Sequence, residues 1–252
     1  YSLVREFNQP TTVIVKHNNP CGVANDPILA QSAAKALECD PASAFGGIIA
    51  FNRTVDPETA MVFKTLFIEV VIAPDFHPDA LKIFEAKKNL RILKAPLSVP
   101  AEYDIKKLDG GYLIQNPDRL SYDPNQLKTV TNLSPSDQER ESLLFGWIVA
   151  KHVKSNAIIL TKGLQTVGIG AGQMSRIDSL KIACIKAEGK EVGSVLASDA
   201  FFPFPDVVEA AAKHGIKAII QPGGSIHDQD SIDACNRLGI GMIFTGIRHF
   251  RH

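Results

Sequence analysis

Lys16 and His17 open the run Lys16-His17-Asn18-Asn19-Pro20-Cys21-Gly22, directly after the apolar residues Thr12-Val13-Ile14-Val15. The apolar run reads as a buried strand, and in open α/β sheets ligands bind beyond the carboxyl ends of strands. An amine, an imidazole and two amides would then lie where a substrate binds. Imidazole titrates near neutrality and is the usual general base. A neighbouring cation stabilises developing negative charge or donates a proton. The plainer alternative is a solvated lysine beside a turn-capping histidine, which the dense run of turn-forming residues after them makes less attractive. Pro20-Cys21 also invites comparison with zinc deaminases, whose signature is H-x-E followed by P-C-x-x-C. Asn19 stands where the acid would be and Ala24 where the second thiolate would be. Without those ligands zinc is rejected.

Three more segments carry residues of chemical interest. Gly168-Ile169-Gly170-Ala171-Gly172-Gln173 leads through Met174-Ser175-Arg176 into a helical pattern. Such a turn can present free backbone N–H groups to an anion, or it can be a flexible strand. Ser198-Asp199-Ala200-Phe201-Phe202-Pro203-Phe204-Pro205-Asp206 packs three aromatics and prolines between a strand and a helix. Exposed rings there would stack on a flat heterocycle, and the alternative is a core plug. The chain closes on Arg248-His249-Phe250-Arg251-His252, a basic tail expected to be solvated unless it docks at a phosphate.

The elements that must position these residues follow from alternation. Strands are expected at residues 12–15, 47–51, 70–73 and 90–93, with helices between them. Asp26-Pro27 supplies a cap and a first helical proline for one helix, and others are expected over residues 57–66 and 77–87. Residues 95–133 break the rhythm with prolines and Gly110-Gly111, and read as a connector with a hairpin or two. Ser134-Pro135-Ser136-Asp137 then opens the longest helix. Strands at 157–160, 166–169, 194–197, 218–220 and 242–244 alternate with helices ending near Gly189, Gly215 and Gly239, where left-handed C-caps are expected. The reading is an α/β chain, with helices on both sides of a largely parallel sheet. Val71-Ile72-Ala73-Pro74 and Ile219-Ile220-Gln221-Pro222 echo one another, suggesting two similar units facing each other across a cleft.

Composition narrows the class. The 252 residues are 45% hydrophobic and 21% charged, as expected of a globular chain with a full-sized core. Lys+Arg and Asp+Glu are both 27, so there is no basic excess for a nucleic-acid backbone. No apolar run reaches the ~20 residues needed to span a bilayer, and the start is not a signal peptide. Cys21, Cys39, Cys184 and Cys235 are scattered, without a CxxC pair, as for thiols in a reducing cytoplasm.

Taken in order, the Lys16–Gly22 run, Ser43-Ala44-Phe45-Gly46-Gly47, Ser155-Asn156, the Gly168–Gln173 run with Ser175-Arg176, the Ser198–Phe204 run and the terminal Arg248–His252 run resemble the AICAR transformylase domain of the bifunctional AICAR transformylase/IMP cyclohydrolase family. The resemblance extends from about residue 1 to the last residue. It implies two cytidine-deaminase-like α/β/α units in tandem, zinc-free: residues 1–95, a connector over 96–133, and residues 134–252. It implies formyl transfer from 10-formyltetrahydrofolate to the 5-amino group of AICAR, in a cytoplasmic homodimer with active sites at the interface. His17 would take the amine's proton, Lys16 would stabilise charge and assist departure of the folate nitrogen, and Asn156 would hydrogen-bond a formyl or carboxamide oxygen. Arg176 and Phe201 would line the nucleotide side, Arg248 would meet its phosphate, and Ser175 would be a further substrate-binding position. Phe45, Gly46, Pro203, Asp206 and Phe250 would belong to folate or nucleotide pockets. Glu69 stands where some members carry aspartate and keeps the acid. A monovalent cation such as potassium would be held through backbone oxygens. The family's Arg-Tyr-Gly-Glu-Asn-Pro-His-Gln motif, whose Arg and Tyr contact the nucleotide, does not precede Tyr1 here. An IMP cyclohydrolase domain is expected in the full-length chain. The competing expectations are a non-catalytic nucleotide- or folate-binding fragment and the disfavoured zinc deaminase.

Overall fold

The computed structural model describes residues 1–98 and 102–251. Residues 99–101, inside the expected connector, and His252, the last of the basic tail, lie outside the described residues.

Thr11–Lys16 (β1) and Asn19–Asn25 (β2) form an antiparallel hairpin. Gly47–Phe51 (β3) pairs antiparallel with β1, and Ile68–Ala73 (β4) and Arg91–Lys94 (β5) continue in parallel. The helices of this stretch are Leu29–Cys39 (α1), Pro41–Ala44 (α2), Pro57–Val62 (α3) and Pro78–Glu85 (α4). The connector supplies a separate hairpin, Asp104–Leu108 (β6) with Gly111–Gln115 (β7), and the short strand Lys128–Thr129 (β8). Asp137–Ala150 (α5) leads into a second hairpin, Ile158–Lys162 (β9) and Gln165–Gly170 (β10). There follow Arg176–Ala187 (α6), Val195–Ser198 (β11), Asp206–Lys213 (α7), Ala218–Gln221 (β12), Asp228–Leu238 (α8) and Gly241–Phe244 (β13).

Eleven of these strands make one sheet, in the order β5-β4-β3-β1-β2-β10-β9-β11-β12-β13-β8. The order β2-β1-β3-β4-β5 is repeated, with the same parallel and antiparallel pairings, by β10-β9-β11-β12-β13. Two expectations change here. The sheet is mixed rather than largely parallel, because the tight β1–β2 and β9–β10 turns admit only antiparallel neighbours. The repeats also do not face one another across a cleft: they join edge to edge where β10 pairs with β2, at Gln165 and Ala24.

Strand periodicity separates the two faces of the sheet. Ile158 and Leu160 point into a core with Leu180, Ala183, Val207, Val208 and Cys235 of α6, α7 and α8. Ile159, between them, points to the other face, against Leu143, Trp147 and Val149 of α5. Val4 and Phe7 of the N-terminal segment, with Val13 and Val23 of the first hairpin, join that same core. Ile14, Ile49 and Val71 pack with Ala33 of α1, Ala60 of α3 and Phe84 of α4.

Local chemistry sets several boundaries differently from the expectations. The run Asn19-Pro20-Cys21-Gly22 is strand β2, not a turn; a register shift between Ile14 and Val15 accommodates Pro20, which has no N–H to give. The Asp26 carboxylate accepts the Ile28 N–H, so α1 starts only at Leu29. Ser136, not Ser134, caps α5 and shares a capping box with Glu139, which leaves Pro135 outside the helix against Gly241. The glycines of the 168–173 run are not an anion cradle. A Cβ on Gly168 would lie 2.1 Å from the Ala183 carbonyl oxygen, and one on Gly170 would lie 1.8 Å from that of Ser179. They let α6 settle directly on β10. Gly22 does the same for α1, at 1.9 Å from the Ala36 carbonyl oxygen.

Candidate active site

Lys16 ends β1 and His17 occupies the tight turn to β2 with φ of 54°, in the left-handed region. His17 and Asn18 are exposed at the tip. The Lys16 ammonium donates to the carbonyl oxygens of Phe45 (2.8 Å) and Gly46 (3.1 Å). Those carbonyls converge because α2 ends at Phe45 and Gly46 takes φ of 68°, where any Cβ would sit 2.9 Å from Lys16 Nζ. The exposed Phe45 ring lies against Phe67, whose carbonyl accepts the Gly46 N–H. Beyond Phe67 a cavity of about 480 Å³ is lined by Glu69, Lys88, Asn89, Leu90 and Arg91. Glu69 is exposed there and paired with Arg91 at 3.6 Å.

A second cluster sits where β9, β11 and α6 meet. The Arg176 guanidinium donates to Asp199 Oδ1 (2.6 Å), to Ser198 Oγ (3.1 Å) and to Asn156 Oδ1 (2.7 Å). Asp199 is fully buried and also accepts the Ala157 N–H and the Ser155 hydroxyl. Asn156 Nδ2 donates to the carbonyls of Gln173 and Met174. Contact of that amide nitrogen with a substrate oxygen therefore requires exchange of one of these bonds. Ser175 caps α6, its hydroxyl shared with Asp178.

One hydrogen bond links the segments that carry the two groups. Asn19, two residues after His17, accepts at 2.9 Å the N–H of Lys154, two residues before Asn156. The C-terminal segment closes the other side: Ser155 N–H donates to the Arg251 carbonyl, and His249 N–H to that of Asp199.

The remaining expected site residues divide by burial. Phe202 is the core plug, whereas Phe201 is half-buried and Pro203 and Phe204 are exposed. Asp206 is exposed at the start of α7, where its carboxylate accepts the Val207 N–H. Arg248 is exposed, with its guanidinium 5.1 Å from the Phe250 ring centre. The tail is not uniformly solvated, however. His249 is 1% exposed, set between the Asp118 carboxylate and the Ser121 carbonyl and packed on Trp147. Burial raises Asp118, but the His249 bond and the charges of His249, Lys151 and His152 together outweigh it and hold the carboxyl below its usual range.

Sequence reasoning gave no role to Asp199 or Glu6, and counted Asn19 only as one of two amides beyond β1. Asp199 was visible as an acid at the end of a strand, but only folding shows that it meets Arg176 from another element. Glu6 accepts from Lys151 (2.9 Å), His152 (3.0 Å) and Ser121. Burial opposes its ionisation, yet the bonds from His152 and Lys151 bring its pKa down to about 2. Burial pushes the thiols of Cys21, Cys39 and Cys235 up to about 12 and that of Cys184 up to about 11, so none is an activated nucleophile. Among the described residues, no three His, Cys, Asp or Glu side chains stand together as a metal site, and no helix is long and apolar enough to cross a membrane.

The fold and these clusters define an α/β protein whose candidate catalytic groups gather at strand ends, around an amine, an imidazole and a buried Arg–Asp pair. The profile of the family described as AICARFT/IMPCHase bienzyme matches residues 1–186. The bifunctional purine biosynthesis protein PurH of Thermoanaerobacter sp. (strain X514) is 56% identical over 250 residues, covering 99% of this chain and 49% of that protein. The proteins of the same description from Halalkalibacterium halodurans and Aquifex aeolicus are 51% and 52% identical, covering 100% and 99% of this chain and 50% of each relative. The chain belongs to the AICARFT/IMPCHase family. It spans about half the length of these relatives.

Proposed function

We propose that this chain transfers a formyl group from 10-formyltetrahydrofolate to the 5-amino group of AICAR, giving FAICAR on the route to IMP. The observation that carries the reading is the Asn19–Lys154 bond, which ties the segment after the Lys16–His17 turn to the segment before Asn156 in a chain of this family. The amine nitrogen attacks the formyl carbon, a new C–N bond forms, and the bond from that carbon to the folate nitrogen breaks. His17, exposed at the turn, takes the proton that the amine loses. Lys16 spends two donors on carbonyls and keeps the third for the developing charge or the departing nitrogen. Arg176 and Phe201 line the nucleotide side, Arg248 meets the phosphate, and Ser175 and Glu69 are further substrate-binding positions. Phe45, Gly46, Pro203, Asp206 and Phe250 line the rest. The repeated strand order supports two cytidine-deaminase-like units, 1–95 and 134–252, around a 96–133 connector. His17, Phe45, Phe204 and Phe250 lie open on a single chain, which supports a homodimer that completes the site. A monovalent cation such as potassium would use backbone oxygens here, and no step is routed through it. The cyclohydrolase half belongs to the longer protein, in the cytoplasm.

The test is formation of FAICAR from the two substrates by the full-length protein, before and after His17→Ala. Loss of a general base costs about 10²–10⁴ in rate, with nucleotide affinity little changed. Turnover of the variant near that of the parent rejects His17 as the base, and failure of the parent to form FAICAR rejects the function.

A further inference from the structure

We infer that Lys186 and Asp40 are positioning residues for Lys16, and that α6 sets the spacing between the two parts of the site; this rests on the function proposed above. α2 has only four residues, too few to hold a helix unaided. Asp40 holds it: its carboxylate accepts the Ser43 N–H at 3.0 Å and the Ser43 hydroxyl at 2.6 Å. That carboxylate is in turn fixed by Lys186 of α6, at 2.9 Å, and Lys186 also reaches Ser43 Oγ at 3.2 Å. At its other end α2 delivers the Phe45 and Gly46 carbonyls that grip Lys16 Nζ. A shift at Asp40 therefore travels five or six residues to the ammonium.

Lys186 comes from the other half of the sheet. The helix that carries it starts at Arg176, which grips Asn156 and Asp199. So α6 holds Asn156 by its first residue and, through Asp40 and α2, Lys16 by its last turn. A 12-residue helix is about 18 Å long and stiff. Its seat is fixed by Gly168 and Gly170, against which it lies with backbone touching backbone. Neither Lys186 nor Asp40 needs to touch substrate for this role.

The experiment uses the full-length protein with Lys186→Met, Lys186→Arg and Asp40→Asn. Misplacement by about 1 Å can cost 10²-fold in rate, so kcat should fall about ten- to a hundredfold in Lys186→Met and Asp40→Asn. KM for either substrate and the melting temperature should stay near the parent's, and Lys186→Arg should recover most of the rate. Acetylation of Lys16 by an N-hydroxysuccinimide ester, followed by peptide mass spectrometry, gives a readout independent of turnover. Lys16 should label several-fold faster once its carbonyl clamp loosens, while Lys35, paired with Asp26, serves as the unchanged control. Parent-like kcat with parent-like Lys16 labelling overturns the inference. So does loss of kcat in step with melting temperature, with no recovery in Lys186→Arg, which marks a merely structural tie. If the parent forms no FAICAR the functional reading fails, and the labelling ratio still decides whether Lys186 holds the clamp.

Discussion

Replacing Asp199 by asparagine should be among the most damaging single changes in this chain. Asp199 has no exposed side-chain surface and Arg176 only 9%. The carboxylate takes the guanidinium at 2.6 Å, the Ala157 N–H at 3.1 Å and the Ser155 hydroxyl. Arg176 Nε has no partner even in the intact cluster. Asp199→Asn keeps the shape but leaves a buried guanidinium without its counter-charge, a situation that costs about 3–5 kcal/mol. At about 2–4 °C per kcal/mol for a domain of this size, the melting temperature should drop by roughly 6–20 °C. Urea midpoints and thermal melts of Asp199→Asn, Arg176→Met and the double variant give a complete cycle. The double variant should lose clearly less than the sum of the singles, because no uncompensated charge remains. The loss should also vary little with salt, since a buried pair is poorly screened. A single-variant loss under about 1 kcal/mol, or strict additivity, would refute the claim that burial makes this pair costly to break.

Glu6 gives a pH signature. Its folded pKa of about 2 lies below the ~4.3 of a free glutamate, so its contribution is complete above the unfolded value and fades as pH falls from about 5 towards 2. Glu6→Gln should therefore lower stability at neutral pH and flatten that acid limb; matching acid slopes for parent and variant would count against it. Gly170→Ala forces a Cβ to within 1.8 Å of the Ser179 carbonyl, and should cost at least the 1–3 kcal/mol typical of overpacking. Gly111→Ala, with open space around it, is the control that should leave the urea midpoint unchanged. The buried thiols of Cys39, Cys184 and Cys235, with pKa values raised to about 11 or 12, should react with a disulfide reagent near pH 8 only as fast as the chain opens. Rapid reaction of those three in the folded protein would contradict that.

Short-range signals carried much of the fold. The apolar runs at β1, β3, β9 and β12 form strands because their side chains fill cores on both faces of the sheet, and no polar alternative competes. Gly215 and Gly239 take the left-handed conformation expected beyond α7 and α8, since both are local backbone requirements. The Lys16-His17 segment was legible as chemistry at a strand end for the same reason. Other features depend on residues far apart in the chain, and no local pattern encodes them. Asn19-Pro20-Cys21-Gly22 has turn composition, yet it lies in a strand because β1 pairs alongside it, while β10 joins the same strand further on, at Ala24. Gly168 and Gly170 read either as an anion-binding turn or as a flexible strand, and the close approach of α6 fixes their purpose. The choice of Phe202 over Phe201 as core plug, the burial of His249 and the meeting of Arg176 with Asp199 were decided by which elements pack together. Sequence determined which segments are strands and helices and which residues are chemically able. Only the tertiary structure, by pairing β2 with β10 and laying α6 on β10 with Lys186 reaching Asp40, decided which of those residues meet.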